Sequence, residues 1–145
     1  MSKINIFCFG FGQVAEGFIN KLIQEKKDFD LSITSRQETH QIEFNNFKIK
    51  SYHFTDDKFD SSIDKKLKEA NYILISIPPI EGKDIVAKYF DKNLQGITNC
   101  KWITYLSATS VYGDHKGEWV NENSTTKPTS PNGSSRLAAE NTWKK

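Results

Sequence analysis

The chain has 145 residues, a length that fits one domain. Hydrophobic residues make up 37% of it and charged residues 26%, so the composition favours a packed core over disorder. The net charge of +2 is too small and too evenly spread to indicate nucleic-acid binding. No run is apolar enough to cross a bilayer and no signal peptide precedes the first strand-like run, which predicts a cytoplasmic protein without a membrane partner.

Cysteine and histidine usage gives no indication of a metal site. Cys8 and Cys100 lie in or beside apolar runs and have no metal-type spacing, so we expect reduced thiols that behave as small hydrophobes. His40, His53 and His115 are dispersed, without a pair at ligand spacing.

The chain begins with a predicted strand, helix and strand. Residues 3–9 form a β-branched and aromatic run, which is typical of a buried strand. In residues 13–27 apolar side chains, among them Val14 and Phe18, recur at helical spacing and predict an amphipathic helix. Residues 31–34 predict a second short strand.

The same alternation continues through the middle of the chain. Residues 45–54 alternate apolar and polar side chains and predict a third strand. A short helix over residues 61–70 precedes residues 71–77, a continuously apolar run typical of a parallel strand covered on both faces. A helix over residues 84–90 leads to a further buried strand at residues 101–107.

The last part of the chain is predicted to be loop and then helix. Residues 108–131 are rich in Gly, Ser, Thr, Asn and Pro and predict a long loop. Residues 132–145 form the start of a last helix. Residues 1–145 are therefore expected to be a single domain.

Strands that alternate with helices predict an α/β fold, a doubly wound parallel sheet of the Rossmann type in three αβα layers. Right-handed crossovers give the strand order 3-2-1-4-5. Because Cys8 and Cys100 then lie on strands separated by a third strand, we expect no disulfide between them.

The first predicted strand and helix are joined by Gly10-Phe11-Gly12-Gln13-Val14-Ala15-Glu16-Gly17, the pattern G-x-G-x-x-A-x-G. Gly10 permits a tight turn, Gly12 allows a pyrophosphate to approach the backbone, and Ala15 keeps the helix close to the sheet. The free amides of the helix N-terminus favour phosphate. The motif therefore predicts dinucleotide binding by residues 10–15; the alternative is a turn that only connects strand to helix.

The end of the second strand, where the ribose is usually recognised, indicates which dinucleotide is bound. The segment is Thr34-Ser35-Arg36, with no acidic residue before Glu38. Arg36 can attract a 2′-phosphate and Ser35 can donate a hydrogen bond to it, which favours NADP over NAD. Arg36 can equally be an ordinary surface arginine.

Residues at the end of the fourth predicted strand complete the set of candidate cofactor contacts. Ser76, Ile77 and Pro78 come at the edge of the sheet where the cofactor is expected, and Pro79 follows. A backbone stiffened by two prolines can form a wall of the nicotinamide-ribose site, or it can simply end the strand.

Two segments of the last third resemble the extended and atypical short-chain dehydrogenase/reductases, the NAD(P)-dependent epimerase/dehydratase type. The first is Tyr105-Leu106-Ser107-Ala108-Thr109-Ser110-Val111-Tyr112-Gly113-Asp114. Val120-Asn121-Glu122, Pro128 and Pro131-Asn132-Gly133-Ser134-Ser135-Arg136 continue that pattern in order and spacing. The resemblance implies an N-terminal Rossmann half without the C-terminal substrate domain of that family.

The resemblance also implies where catalytic residues should lie. The family's Ser or Thr, Tyr and Lys positions are occupied by Ala108, Asn132 and Arg136, so the usual proton relay is altered. Ser110 or Tyr112 can be considered as substitutes.

Three functions remain open from the sequence. The first is an NAD(P)-binding protein, truncated relative to the family and without the catalytic set; the second is an active atypical NADP-dependent oxidoreductase or nucleotide-sugar epimerase. The third is a nucleotide-sensing or oligomerisation module. Because the edge of residues 101–107 is left unpaired, a homodimer or a second polypeptide is expected to cover it.

Overall fold

The computed structural model describes residues 3–144, and within them six strands form one sheet. The strands are β1 (Ile4–Phe9), β2 (Phe29–Ser35), β3 (His40–Phe44), β4 (Phe47–His53), β5 (Tyr72–Ile75) and β6 (Trp102–Tyr105). The helices are α1 (Gln13–Gln24), α2 (Ser62–Glu69), α3 (Ile85–Gln95) and α4 (Pro131–Trp143), with a 3₁₀ helix at Thr109–Val111. None of these helices is long and apolar enough to span a membrane.

The sheet has the order β3-β4-β2-β1-β5-β6. β1 pairs in parallel with β2 on one side and with β5 on the other, and the β2–β4 and β5–β6 pairs are also parallel. The five strands predicted from the sequence are thus present in the predicted order, and the Rossmann prediction is confirmed.

A sixth strand, β3, was missed by the sequence analysis. It pairs antiparallel with β4, and Phe44 opposes Phe47 across a two-residue turn. The turn residues Asn45 and Asn46 have φ angles of 49° and 65°, which asparagine tolerates better than most residues and which a type I′ hairpin requires. The strand predicted over residues 45–54 therefore begins at Phe47, and the sheet is mixed rather than wholly parallel.

Two apolar clusters cover the faces of the sheet. On one face, α1 contributes Ala15 and Ile19 to a cluster with Ile6 and Cys8 of β1. On the other face, residues of α2 and α3 pack against Phe7 and Phe9, and Phe9 lies 5.5 Å from Phe54 and 5.6 Å from Phe90 between ring centroids. Helices on both faces give the three layers expected of this fold.

Both cysteines are free, as the sequence analysis expected. Cys8 is fully buried, and burial raises the pKa of its thiol to about 12. Cys100 is half-buried, and burial raises the pKa of its thiol as well.

The apolar stripe of α1 is shifted by one residue from the prediction. Ala15 and Ile19 are the buried residues, whereas Val14 is 60% exposed and Phe18 is 40% exposed. Asn20, on the flank opposite Phe18, accepts a hydrogen bond from Asn45 Nδ2. The helix therefore rests on Ala15 and Ile19, since their small and branched side chains allow a close approach to β1.

The strand predicted at residues 101–107 is present as β6, but the prediction that it is buried was wrong. In the described residues 3–144, β6 lies at the end of the sheet with β5 as its one partner, so Trp102 remains 66% exposed and Ile103 remains 37% exposed. The opposite edge strand, β3, exposes Gln41 and Glu43 instead. Charged side chains are a common protection of an edge against pairing, and β6 has none.

Side-chain caps and one indole bond fix the last helices. Asp84 accepts hydrogen bonds from the amides of Val86 and Ala87, which caps α3, and Trp143 Nε1 donates to Asp84 Oδ2 over 2.6 Å. α4 begins with Pro131 and is capped by Ser130. The end of α4 is thereby tied to the start of α3.

The segment over residues 108–131 is folded back on itself. Gly113, with a φ of 72°, pairs with Lys127, and a Cβ at Gly113 would lie 1.7 Å from the Lys127 oxygen. Gly133 in α4 packs equally closely on the 3₁₀ helix, where a Cβ would lie 2.4 Å from the Ser110 oxygen. Glycine is required at both contacts because no side chain fits.

This packing predicts opposite effects of two glycine substitutions. Gly133→Ala should lower the free energy of unfolding by about 1–3 kcal/mol, because α4 and the 3₁₀ helix must separate. Gly17→Ala is the matched control: a Cβ there meets nothing within 4 Å. It should raise stability by about 0.5–1 kcal/mol, because glycine is unfavourable inside a helix. Urea unfolding measures both, and equal effects would contradict the packing described.

Candidate functional site

The turn between β1 and α1 is built around Gly10. Its φ of 82° lies in the left-handed region, where residues with a Cβ are strained. A Cβ would also lie 3.0 Å from Ser76 Oγ and 3.2 Å from Ile77 Cγ1. Gly10 is therefore required by the fold itself, before any ligand is considered.

Gly12 has a different environment. It is the N-cap of α1 and supplies no side-chain cap, and a Cβ placed on it would meet nothing within 4 Å. Among residues 3–144 the amides of Gln13, Val14 and Ala15 have no hydrogen-bond partner. Three unpaired donors beside open space at a helix N-terminus form an anion site of the kind that binds phosphate.

Hydrogen bonds from the two neighbouring strands hold the start of this turn. The amide of Gly10 donates to Thr34 Oγ1 over 2.9 Å. The Phe9 oxygen accepts from the Ser76 amide over 3.0 Å and from Ser76 Oγ over 2.8 Å. Sequence reasoning missed Thr34, and it assigned Ser76 to the cofactor wall, whereas the hydroxyl proton of Ser76 is directed to Phe9.

The end of β2 carries the predicted ribose-recognition residues. Ser51 Oγ, which is buried, donates to Ser35 Oγ over 3.0 Å, so the Ser35 proton remains available to a ligand. Arg36 is exposed and forms no ion pair with any residue in 3–144. Glu38, the first acidic residue after β2, is paired with Lys58 at 3.2 Å and is exposed. The electrostatics at Arg36 therefore favour an anion.

The remaining predicted contacts surround the glycine turn. Ile77 is half-buried against the core, while Pro78 is exposed, so the segment after β5 lines one side of the turn. Phe11 packs edge-on against Phe44 at 5.2 Å between ring centroids. That contact connects the turn to the β3–β4 hairpin. No signal in the sequence indicated this contact.

The structure places the three residues for which the resemblance predicted catalytic positions. Ala108 precedes the 3₁₀ helix, and Asn132 is exposed in the first turn of α4. Arg136 is half-buried, and its Nη1 donates to the Leu106 oxygen over 2.5 Å. The guanidinium therefore lies at the carboxyl end of β6, where its N–H groups can orient a hydroxyl by hydrogen bonding.

Ser110 and Tyr112, the possible substitutes, lie near these positions. Within residues 3–144 no chain of hydrogen-bonded groups that could relay a proton is evident around them. The Ser110 main chain packs against Gly133, and the Tyr112 ring lies edge-on to His115 at 6.4 Å between centroids. Tyr105 is a further titratable group, and its hydroxyl is buried without a hydrogen-bond partner among residues 3–144. Burial raises the pKa of Tyr105, and the nearby Arg136 guanidinium opposes that rise.

Two concave surfaces lie away from the glycine turn. One is a groove between α3 and α4, lined in part by Asp84, Ala87, Ala138 and Thr142. The other lies at the opposite end of the strands, near Lys3 and Phe29. Within residues 3–144 no cluster of three or more His, Cys, Asp or Glu side chains could hold a metal ion.

No protein-family model matches the chain, and no curated protein matches it. Several solved structures do match the chain. A functionally unknown conserved protein from Silicibacter pomeroyi is 24% identical with a TM-score of 0.74, over 97% of this chain and 48% of that one. A UDP-N-acetylglucosamine 4-epimerase from Methanobrevibacter ruminantium is 17% identical with a TM-score of 0.73, over 99% of this chain and 50% of that one.

A UDP-glucuronic acid 4-epimerase from Bacillus cereus, solved in complex with NAD, is 16% identical with a TM-score of 0.69, over 97% of this chain and 51% of that one. The chain thus spans about half the length of these proteins. The resemblance found in the sequence is confirmed at the level of the fold. The chain has a Rossmann fold, which it shares with about half of each of these proteins.

Proposed function

We propose that the chain binds a nicotinamide dinucleotide, with the pyrophosphate at the glycine turn. The observation that carries this proposal is the set of unpaired amides at Gln13, Val14 and Ala15 beside the open space at Gly12. α3 and α4 have side-chain caps at their N-termini, whereas α1 does not. The NAD complex of the Bacillus cereus epimerase supports the choice of ligand.

The residues at the expected catalytic positions favour a protein that binds the dinucleotide without the usual catalysis. Asn132 cannot replace a phenol as proton donor, and Ala108 cannot hydrogen-bond a substrate through its side chain. An active enzyme that uses Ser110 or Tyr112 is the alternative, and it needs a general base beside one of them. A sensing module is a further alternative, since it requires only the dinucleotide site.

NADP rather than NAD is the ligand we propose, although the neighbour just described contains NAD. Arg36 is exposed and unpaired within the described residues, and Ser35 keeps a free hydroxyl proton. Glu38 is neutralised by Lys58 and therefore repels a 2′-phosphate only weakly. A guanidinium and a hydroxyl together suit a phosphate better than a ribose hydroxyl.

The dinucleotide proposal predicts that Gly12→Val abolishes NADPH binding while lowering the free energy of unfolding by only about 1 kcal/mol, the usual cost of a poor N-cap residue. The new side chain meets no protein atom near its Cβ but occupies the space that the phosphates need. Isothermal titration calorimetry measures binding, and thermal unfolding measures stability. Gly17→Ala serves as the control and should bind as the unmodified chain does. The absence of any heat with NADPH or NADH in the unmodified protein would overturn the proposal.

The NADP proposal predicts a selective effect at Arg36. Arg36→Ala should weaken NADPH binding about tenfold and leave NADH binding unchanged, because a charge-assisted hydrogen bond to the 2′-phosphate is lost. Lys92→Ala removes an exposed cation from α3 and controls for the change in net charge. Equal weakening of both cofactors, or equal affinity for them in the unmodified chain, would contradict the assignment.

The free edge of β6 supports a second proposal, that two copies of the chain pair through it. Antiparallel pairing about a two-fold axis places Trp102 opposite Tyr105 and Ile103 opposite Thr104, so no like charges meet. Pairing between two copies requires a patch that is complementary to itself, and this patch is. An edge that binds an unrelated polypeptide has no such requirement. Covering β6 would also bury the exposed Trp102.

This proposal predicts a dimer that one charge disrupts. Trp102→Lys should shift the protein from dimer to monomer in analytical ultracentrifugation, because a lysine on an edge strand opposes pairing. Trp119→Lys is the matched control, since Trp119 is fully exposed in the loop after β6, and it should leave the dimer intact. A monomeric unmodified chain would refute pairing between copies.

A further inference from the structure

We propose that the hydroxyls of Thr34 and Ser76 are positioning groups that hold the glycine turn in its phosphate-binding shape. Both act on one peptide unit, the one between Phe9 and Gly10, and we call the pair the hydroxyl clamp. The inference rests on the proposed dinucleotide function and assigns to these residues a role that touches no ligand atom.

The Thr34 half of the clamp is buried. Thr34 is 2% exposed and lies beside Tyr52 of β4 in the register of the sheet. A hydroxyl in an apolar interior is costly unless it is hydrogen-bonded, and its bond is the one that it accepts from the Gly10 amide at 2.9 Å. A valine has the same shape, so packing alone does not explain a threonine here.

The Ser76 half holds the other end of the same peptide unit. The Phe9 oxygen accepts from both the amide and the hydroxyl of Ser76, at 3.0 Å and 2.8 Å. The N–H is therefore bonded toward β2 and the C=O toward β5. A peptide plane that is bonded on both sides cannot rotate without breaking a hydrogen bond.

The clamp acts where the chain changes direction. Gly10 follows the clamped peptide with a φ of 82°, and the unpaired amides begin three residues later at Gln13. Rotation of the Phe9–Gly10 peptide would redirect those amides away from a common point. Fixing the plane in advance lowers the entropic cost of binding, which is how supporting residues increase affinity.

The test compares Thr34→Val with Thr34→Ser, using two probes. ADP-ribose contains the diphosphate, whereas adenosine 2′-monophosphate engages only the Ser35 and Arg36 end. Thr34→Val should weaken ADP-ribose binding about tenfold and adenosine 2′-monophosphate binding less than twofold, because one buried hydrogen bond at the turn is lost. Thr34→Ser keeps the hydroxyl and should restore ADP-ribose affinity. A merely structural role would weaken both probes alike.

Ser76→Ala provides a second, milder variant, because the Ser76 amide still bonds to Phe9. It should weaken ADP-ribose binding about threefold. If Thr34→Val folds and its ADP-ribose affinity is unchanged, the clamp is overturned. If Thr34→Val does not fold, unchanged ADP-ribose affinity in Ser76→Ala overturns the clamp instead. If the unmodified chain binds neither NADPH nor ADP-ribose, the dinucleotide function fails first, and the clamp fails with it.

Discussion

The parallel pairing of β1 with β2 and with β5 places all the candidate cofactor residues. Parallel strands end at the same edge of a sheet, so the register that aligns Cys8 with Ile33 and with Leu74 also brings Gly10, Ser35 and Ser76 to one edge. These residues are separated by up to 66 positions in the chain. A shift of β1 by one residue would take Gly10 out of line with Ser35 and Ser76 and reverse the β1 side chains that face each cluster.

Much of this arrangement could be predicted from the sequence, because it depends on strong local signals. Continuous apolar runs identified β1 and β5, and the glycine pattern located the turn. The β3–β4 hairpin was missed because its signal is an Asn-Asn pair, which is weaker than Asn-Gly, within a polar segment. Thr34 was missed because its role is a tertiary hydrogen bond, and no spacing in the sequence reveals the partner of a buried hydroxyl.

The errors in burial have a common physical origin. Hydrophobic periodicity shows which residues can be buried, whereas the neighbouring elements decide which ones are. Val14 and Phe18 fit the helical period of α1, but the contact with β1 uses Ala15 and Ile19. Trp102 lies on a strand that is apolar apart from Thr104, but within residues 3–144 β6 has a neighbour on one side alone. The assignment of Ala108, Asn132 and Arg136 to catalytic positions stays a prediction, because it depends on the resemblance and not on burial.

The contact between Phe11 and Phe44 has a consequence for motion in this protein. Phe11 belongs to the glycine turn, Phe44 ends β3, and Asn45 of the same hairpin is bonded to Asn20 of α1. The hairpin thus contacts the turn and the helix that follows it, so separation of β3 from the sheet removes a contact from the turn. Local opening of β3 and local opening of the glycine turn are therefore coupled.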